Sequence, residues 1–258
     1  MLFLQNKFLD MTKHIPNILT LLNLLCGSIA VVLAVNNNLI TAALFVFLGI
    51  FFDFFDGFAA RKLKVQSELG LQLDSLADMV TSGLVPGIVM YKLLEFTIDT
   101  PSVSDNSWTS NTNGLDFNLP ILPLLGLLIT LASAYRLAVF NLDLDQQSYF
   151  KGLPTPANTL LIMSLPLIIE FQNNDAINAI ILNQWFLIGL TLISCYILNS
   201  NIKLFALKFK DFSFKNNATR YIFLILCAVL LIVLQFAAIP LVILLYIIMS
   251  VLDNLTSK

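Results

Sequence analysis

The sequence FFDFFDGFAARKLKVQSELGLQLDSLADMV, residues 51–80, joins the end of one apolar stretch to the beginning of the next. It holds four aspartates, although only 12% of all 258 residues are charged and 58% are hydrophobic. On both sides of it, apolar runs of about the 20 residues needed to cross a bilayer follow one another. The sequence therefore predicts an all-α, polytopic membrane protein, a helical bundle in which these four carboxylates require a separate explanation.

The apolar runs predict about eight transmembrane segments, each roughly 15 to 27 residues long against an expected 17 to 25. The chain shows no internal repeat and no second, soluble domain, so a single membrane domain over residues 1–258 is predicted. The predicted segments are residues 15–35, 39–60, 71–97, 119–140, 157–171, 177–199, 219–236 and 238–254.

Lysine and arginine residues mark one side of the membrane, because cytoplasmic loops carry the positive excess. The loops near residues 35–38, 97–118 and 172–175 contain neither, and Lys92 stands alone toward the outer end of the third segment. Both termini and the basic loops are therefore predicted to be cytoplasmic. The basic residues on that side are Lys7, Lys13, Arg61, Lys62, Lys64, Arg136, Lys151, Lys203, Lys208, Lys210, Lys215 and Arg220.

Net charge and cysteine content argue against other classes of protein. A net charge of −2 gives no argument for a nucleic-acid partner. The three cysteines, Cys26, Cys195 and Cys227, all lie within apolar runs, which indicates packing rather than a disulfide framework or a thiolate metal site. The carboxylates of residues 51–80 are therefore the most informative chemical groups in the chain.

The four aspartates form two pairs at the cytoplasmic ends of consecutive predicted helices. Asp53 and Asp56 lie in the last turns of the second segment, and Asp74 and Asp78 lie in the first turns of the third. Residues three or four apart share one face of a helix. Two antiparallel helices joined by a short loop are therefore expected to bring the two pairs together.

Charge compensation for these carboxylates comes from only one basic side chain of the segment, Arg61, since Lys62 and Lys64 belong to the loop. Each aspartate at membrane depth costs roughly 2.5 to 3.5 kcal/mol. One or two divalent cations would relieve the deficit, and oxygen ligands without histidine or cysteine favour Mg²⁺ or Mn²⁺. Two such ions favour phosphoryl transfer.

The alternative function is that of a divalent-cation transporter, whose intramembrane acids bind the transported ion.

The spacing of the acidic and small residues matches a known pattern. The segment reads Asp56-Gly57-x2-Ala60-Arg61-x8-Gly70-x3-Asp74-x3-Asp78, and Asp53 precedes it by three residues. This pattern resembles the full signature of the CDP-alcohol phosphatidyltransferase family, and the wider resemblance covers about residues 14–250. Members of that family are integral membrane enzymes with a six-helix core. They displace CMP from a CDP-linked donor with an alcohol and use two divalent ions.

The resemblance implies a role for each matching residue. Asp78 is the expected general base, and Mg²⁺ or Mn²⁺ is the expected pair of ions. The implied metal ligands are Asp53, Asp56, Asp74 and Asp78. The positions implied to bind CDP-diacylglycerol are Asn17, Thr20, Gly57, Arg61 and Ser67.

Three further stretches, residues 14–27, 136–141 and 150–157, look like the bacterial integral-membrane branch of the family that uses L-serine as its acceptor. Arg136 in the second stretch is expected to contact the serine carboxylate or a lipid phosphate. Val139 departs from the pattern, because the family often has a second basic residue there.

The resemblance thus implies an enzyme that makes phosphatidylserine and CMP from CDP-diacylglycerol and L-serine. It also implies a homodimer in a bacterial inner membrane. The basic loops predict the active site on the cytoplasmic side, and the eight predicted segments add two at the C-terminal end to the six-helix core of the family. A sister enzyme that uses glycerol 3-phosphate or inositol is the alternative within the family.

Overall fold

The structure, a computed structural model, describes residues 14–98, 120–142, 149–172, 174–205 and 214–256. Most of the loop predicted at 97–118 lies outside these ranges, as do the basic residues Lys7, Lys13, Lys208 and Lys210. Their predicted position on one or the other side of the membrane stays a prediction.

Within these ranges the chain forms ten α-helices, and they account for almost all of its regular structure. Two of them are joined end to end by a π-helical turn, Met79–Leu84, and a short 3₁₀ turn, Pro123–Leu127, leads into a third. The helices are α1 (Ile15–Val35), α2 (Leu39–Leu63), α3 (Glu68–Asp78), α4 (Val85–Phe96), α5 (Leu128–Leu142), α6 (Thr155–Gln172), α7 (Asp175–Ile181), α8 (Gln184–Leu198), α9 (Phe214–Leu234) and α10 (Ala238–Thr256).

The all-α polytopic class is confirmed by the length and composition of these helices. Five helical stretches of the described chain are long and apolar enough to cross a membrane, and the pair α7 and α8, bent by 59°, would make a sixth. The five stretches are Ile15–Val35, Leu39–Leu63, Glu68–Phe96, Pro123–Leu142 and Arg220–Leu255.

The last of these stretches is a hairpin rather than one long helix. The rings of Phe223 in α9 and Tyr246 in α10 lie 5.7 Å apart, although 23 residues separate them in sequence. A straight helix would hold them about 34 Å apart. Each of the eight predicted segments therefore coincides with a helix or a joined pair of helices, while the number that cross the bilayer stays a prediction.

Helix caps move two predicted boundaries. Helix α2 continues to Leu63 and ends at Lys64, which adopts the left-handed conformation with φ of 56°. Helix α3 begins at Glu68 because the Ser67 hydroxyl accepts a hydrogen bond from the Gly70 N–H at 3.0 Å. The connection between the two aspartate-bearing helices is therefore only residues 64–67.

The π-helical turn follows from a proline within the third predicted segment. Pro86 has no N–H, so the carbonyl of Ser82, four residues earlier, lacks its α-helical donor. The Thr159 hydroxyl of α6 donates to that carbonyl at 2.9 Å. The Val85 N–H donates to the carbonyl of Val80, five residues earlier, in the π pattern.

Two short strands, β1 (Tyr149–Lys151) and β2 (Lys203–Phe205), form an antiparallel pair. The sequence predicts no strand here, because three-residue strands carry no period and their pairing spans some fifty residues of sequence. Gly152 follows β1 with φ of +70°, and a Cβ there would lie 3.0 Å from the Ser200 carbonyl oxygen. This glycine lets the loop after α5 pack directly on the end of α8.

Small residues bring α1 and α2 close together. Ala30 and Ala34 of α1 and Ala42 and Ala43 of α2 are fully buried. Small side chains at helix contacts let the backbones approach, which is the usual basis of helix packing in membranes. The close packing of α1 on α2 fixes the polar face of α1 beside the aspartates of α2.

Candidate active site

The structure brings the two aspartate pairs together, as the helical spacing predicted. Carboxylate oxygens of Asp53, Asp56 and Asp74 lie within 4.8 Å of one another. The fourth carboxylate, that of Asp78, interacts with those of Asp53 and Asp74. The four acids thus form one cluster, called here the aspartate cluster, between α2 and α3.

Asp56 is the most enclosed member of the cluster, with 5% of its surface exposed. The Thr20 hydroxyl of α1 lies 2.5 Å from Asp56 Oδ2 and 3.0 Å from the Pro16 carbonyl oxygen. A charged acceptor makes the stronger hydrogen bond, so the hydroxyl proton belongs with the carboxylate. Thr20, which the resemblance places at the donor substrate, therefore also orients Asp56.

Asn23 is a site residue that was not predicted from the sequence. It is fully buried in α1, and its Nδ2 donates to Asp78 Oδ1 at 3.4 Å. The signal was present in the sequence, because Asn17, Thr20 and Asn23 recur every three residues through an apolar helix. Polar groups at that spacing lie on one face, and this face of α1 meets the aspartate cluster.

A cavity of about 490 Å³, called here the first cavity, opens beside the aspartate cluster. Asp56 and Asp74 line it, as do Val65 and Leu71 on its apolar wall. Its volume falls in the range of small-molecule sites, roughly 300 to 1,000 Å³. All five residues expected to bind CDP-diacylglycerol line this cavity: Asn17, Thr20, Gly57, Arg61 and Ser67.

The glycines of the signature leave space in the first cavity. A Cβ at Gly70 would lie 3.2 Å from Ser67 Oγ and 3.3 Å from Asn17 Oδ1. A Cβ at Gly57 would lie 3.4 Å from Arg61 Nη1. A methyl group at position 70 would therefore crowd the polar wall, and one at position 57 would touch the guanidinium.

Arg136 lies apart from the first cavity. It is buried in α5, with 7% exposed, and its Nη2 donates to the Gly152 carbonyl at 3.4 Å. It interacts electrostatically with Asp78. It also lines a separate cavity of about 250 Å³, the second cavity, together with Asn199 and Ser200. The structure thus places Arg136 near the expected base but away from the residues expected to bind the donor.

The donor set of the aspartate cluster fits a hard divalent cation. All four groups are carboxylates, three of them already converge within 4.8 Å, and the chain's one histidine is at position 14. Oxygen-only ligation suits magnesium and manganese rather than zinc or copper. The cluster can hold a metal ion next to the cavity that would admit a phosphate group.

Comparison with known proteins agrees with this geometry. The sequence model of the family described as CDP-alcohol phosphatidyltransferase matches residues 13–197, which include α1 to α6 and the whole aspartate cluster.

Curated relatives come from several branches of life. A CDP-diacylglycerol–serine O-phosphatidyltransferase of Bacillus subtilis is 32% identical over 172 residues, covering 65% of this chain and 81% of the relative. One of Methanocaldococcus jannaschii is 29% identical over 180 residues, covering 70% and 71%. One of Saccharomyces cerevisiae is 27% identical over 169 residues, covering 59% and 53%. By the extent of the family match and the aspartate signature it contains, the chain belongs to the CDP-alcohol phosphatidyltransferase family.

Proposed function

We propose that this protein transfers the phosphatidyl group of CDP-diacylglycerol to the hydroxyl of L-serine, giving phosphatidylserine and CMP. The observation that carries the proposal is the aspartate cluster at the edge of a cavity lined by all five residues expected to hold the donor. The relatives named for the same reaction support L-serine as the acceptor.

Donor binding is assigned to the first cavity. Arg61 is exposed in the last turn of α2, where its guanidinium can pair with a phosphate of the CDP group through two parallel hydrogen bonds. Gly57 and Gly70 leave room for the nucleotide, while the apolar surfaces of the helices accommodate the acyl chains. The position at the ends of membrane helices thus suits a substrate that is half nucleotide and half lipid.

The transfer step is assigned to Asp78. Its carboxylate accepts the proton of the serine hydroxyl as the serine oxygen attacks the phosphorus that carries the diacylglycerol. A bond forms between that oxygen and the phosphorus, and the bond from the phosphorus to the CMP oxygen breaks. CMP leaves with the electron pair of that bond, and Arg61 stabilises the charge on its phosphate.

The four carboxylates of the cluster are proposed to hold two divalent ions, Mg²⁺ or Mn²⁺. When bound, such ions neutralise phosphate charge and polarise the phosphorus. Asp53, Asp56 and Asp74 would supply most of the ligand oxygens, and Thr20 and Asn23 keep two of the acids, Asp56 and Asp78, in place from α1.

The proposal includes the setting of the enzyme. We place the chain as a single domain in the bacterial inner membrane, with the aspartate cluster and both termini on the cytoplasmic side and two copies in a homodimer. The basic residues at the end of α2 support the side of the membrane. The sequence, without an internal repeat or a second domain, supports the single domain, and the bacterial inner membrane and the homodimer rest on the resemblance. Chemical crosslinking in native membranes tests the dimer.

The test of the function is CMP release by membranes that carry the protein, supplied with CDP-diacylglycerol and Mg²⁺ or Mn²⁺. We expect release that depends on L-serine and stops when EDTA is added. Glycerol 3-phosphate and inositol serve as parallel acceptors, and release with either of them instead of L-serine would reassign the protein to a sister enzyme. Absence of release with any acceptor would contradict the proposal and favour a transporter.

A further inference from the structure

In the described part of the chain, seven side chains carry buried polar atoms without a hydrogen-bond partner, and four of the seven belong to elements that pack together. These four contribute the hydroxyls of Ser82 and Ser133, Nε of Arg136, and both polar atoms of the Asn158 amide; the other three are Asn23, Asn178 and Ser194. Ser82, Ser133 and Asn158 are fully buried, and Arg136 is 7% exposed. Buried polar groups in native proteins are almost always paired, so an accumulation of unpaired ones indicates a missing ligand.

These groups belong to three elements that pack together. Ser82 lies in the π-helical turn, whose Gly83 would place a Cβ 3.3 Å from Cβ of Ser133 in α5. Arg136 follows Ser133 by three residues on the same helix, so the two share a face. Asn158 in α6 precedes Thr159, whose hydroxyl donates to the Ser82 carbonyl. We call the four residues the unpaired cluster.

The unpaired cluster adjoins the expected base and not the donor cavity. Ser82 lies one turn beyond Asp78 in the same continuous helix, and Arg136 interacts electrostatically with Asp78. None of the four residues lines the first cavity. Arg136 lines the second cavity, whose volume of about 250 Å³ is half that of the first. Arg136 is therefore the member of the unpaired cluster that a small polar molecule in the second cavity would meet, apart from the residues expected to bind the nucleotide.

The unpaired atoms complement the chemistry of an amino acid. L-serine carries a carboxylate and an ammonium group on the carbon next to its hydroxymethyl group. The guanidinium of Arg136 offers donors to the carboxylate, and the oxygens of Asn158, Ser82 and Ser133 offer acceptors to the ammonium. The hydroxyl is then directed to Asp78. Glycerol 3-phosphate and inositol have no ammonium group, so neither would use these acceptor oxygens.

We propose that the unpaired cluster is the binding site of the acceptor amino acid, and that Asn158 determines its selectivity by accepting a hydrogen bond from the ammonium group. The inference rests on the proposed function, and it assigns three residues that neither the signature nor the resemblance identified: Ser82, Ser133 and Asn158. At this site Arg136 binds the serine carboxylate. Of the two contacts expected for it from the sequence, the serine carboxylate is therefore favoured over a lipid phosphate.

The decisive variant is Asn158→Leu, which keeps the branched shape of the side chain and removes both polar atoms. We expect the KM for L-serine to rise about tenfold or more, because a hydrogen bond to a charged group is lost. The KM for CDP-diacylglycerol should stay within about twofold. The Tm should not fall, since an unpaired buried amide is replaced by an apolar group. A merely structural amide would leave the KM for L-serine unchanged.

Two further variants, a smaller substitution and a matched control, keep the inference testable if Asn158→Leu does not fold. Ser133→Ala removes one acceptor and should raise the KM for L-serine severalfold. Ser194→Ala removes an equally buried hydroxyl without a partner from α8 and should leave both KM values unchanged. If Asn158→Leu does not fold, the Ser133 and Ser194 variants decide the matter, and equal KM values for L-serine in the two would overturn the inference.

The ammonium contact is tested with 3-hydroxypropionate, which has the carboxylate and hydroxyl of L-serine but no amine. The wild-type protein should favour L-serine strongly, and Asn158→Leu should lose most of that preference. An unchanged preference together with an unchanged KM would overturn the inference while serine-dependent CMP release by the wild-type protein upholds the proposed function. A wild-type protein that ignores L-serine overturns the function itself.

Discussion

The first cavity and the unpaired cluster lie on either side of Asp78 and differ in almost every physical property. The first cavity is large, includes the exposed Arg61, and is built from the three consecutive helices α1, α2 and α3 and the connection before α3. The unpaired cluster is buried, mostly neutral and drawn from the π-helical turn, α5 and α6. An exposed cation suits a highly charged nucleotide, whereas desolvated groups without partners reject any acceptor that leaves them unpaired.

The comparison predicts that substitutions on the two sides affect different kinetic constants. A change in the first cavity should raise the KM for CDP-diacylglycerol, and a change in the unpaired cluster should raise the KM for L-serine. A change at Asp78, between them, should lower kcat.

The largest effect is expected for Asp78→Asn, which removes the proposed base. General-base catalysis contributes about 10²- to 10⁴-fold, so serine-dependent CMP release should fall by at least 10²-fold. The purified variant should still bind CDP-diacylglycerol, as measured by protection against thermal unfolding. Turnover close to that of the wild-type protein would contradict the assignment of the base.

Arg136→Met tests the acceptor side of the comparison. The substitution keeps most of the buried apolar stem and removes the guanidinium, so the KM for L-serine should rise about tenfold or more. Initial rates at varied L-serine and saturating CDP-diacylglycerol measure it. An increase confined to the KM for CDP-diacylglycerol would place this arginine on the donor side and contradict its assignment to the acceptor.

Arg61→Met is the matching change on the donor side. Because this guanidinium is exposed, its phosphate contact is partly screened by water, and we expect a rise of roughly three- to tenfold in the KM for CDP-diacylglycerol. The KM for L-serine should not change. Raised salt should weaken donor binding in the wild-type protein more than in this variant.

Asn23→Leu tests the support of Asp78, which lies between the first cavity and the unpaired cluster. Asn23 acts through Asp78 and lines neither cavity, so both KM values should hold while kcat falls about fivefold, the loss of one modest hydrogen bond. Ser28→Ala on an exposed face of α1 serves as the control and should change nothing. A fall in Tm without a fall in kcat would show that Asn23 is only structural.

The smallest effect is expected for Ser67→Ala, which removes the cap of α3. Loss of such a cap costs about 1 kcal/mol of stability, so thermal unfolding should occur a few degrees lower. The KM for CDP-diacylglycerol should rise only slightly, because the connection at residues 64–67 loosens near the first cavity. An unchanged Tm would show that α3 begins independently of this hydroxyl.

The donor side was largely predictable from the sequence, and the acceptor side was not. Asp53, Asp56, Asp74 and Asp78 are related by helical spacing across one short loop, so periodicity alone brings them together. Ser133 and Asn158 are ordinary residues in apolar runs, and only the packing of separate helices shows that they lack partners. Asn23 falls between these cases, since its spacing from Asn17 was readable but its contact with Asp78 was not.

The fold, like the site, has features that could be predicted from the sequence and features that could not. Apolar length predicted where the helices lie, because burial in a bilayer requires it. Caps such as Ser67, the pairing of β1 with β2 and the irregular turn before Pro86 depend on individual hydrogen bonds. Those bonds leave no periodic trace in the sequence.

The π-helical turn at Met79–Leu84 also sets the rotational phase of one long helix. It adds a residue to the turn, so every side chain from Val85 onward is rotated by about 100° relative to an uninterrupted α-helix. Upstream of it, Asp74 and Asp78 face α2; downstream, Val89 and Leu93 are fully packed in the core. Deleting one residue here would return the helix to a single phase, and the acids and the core side chains could no longer both be correctly oriented.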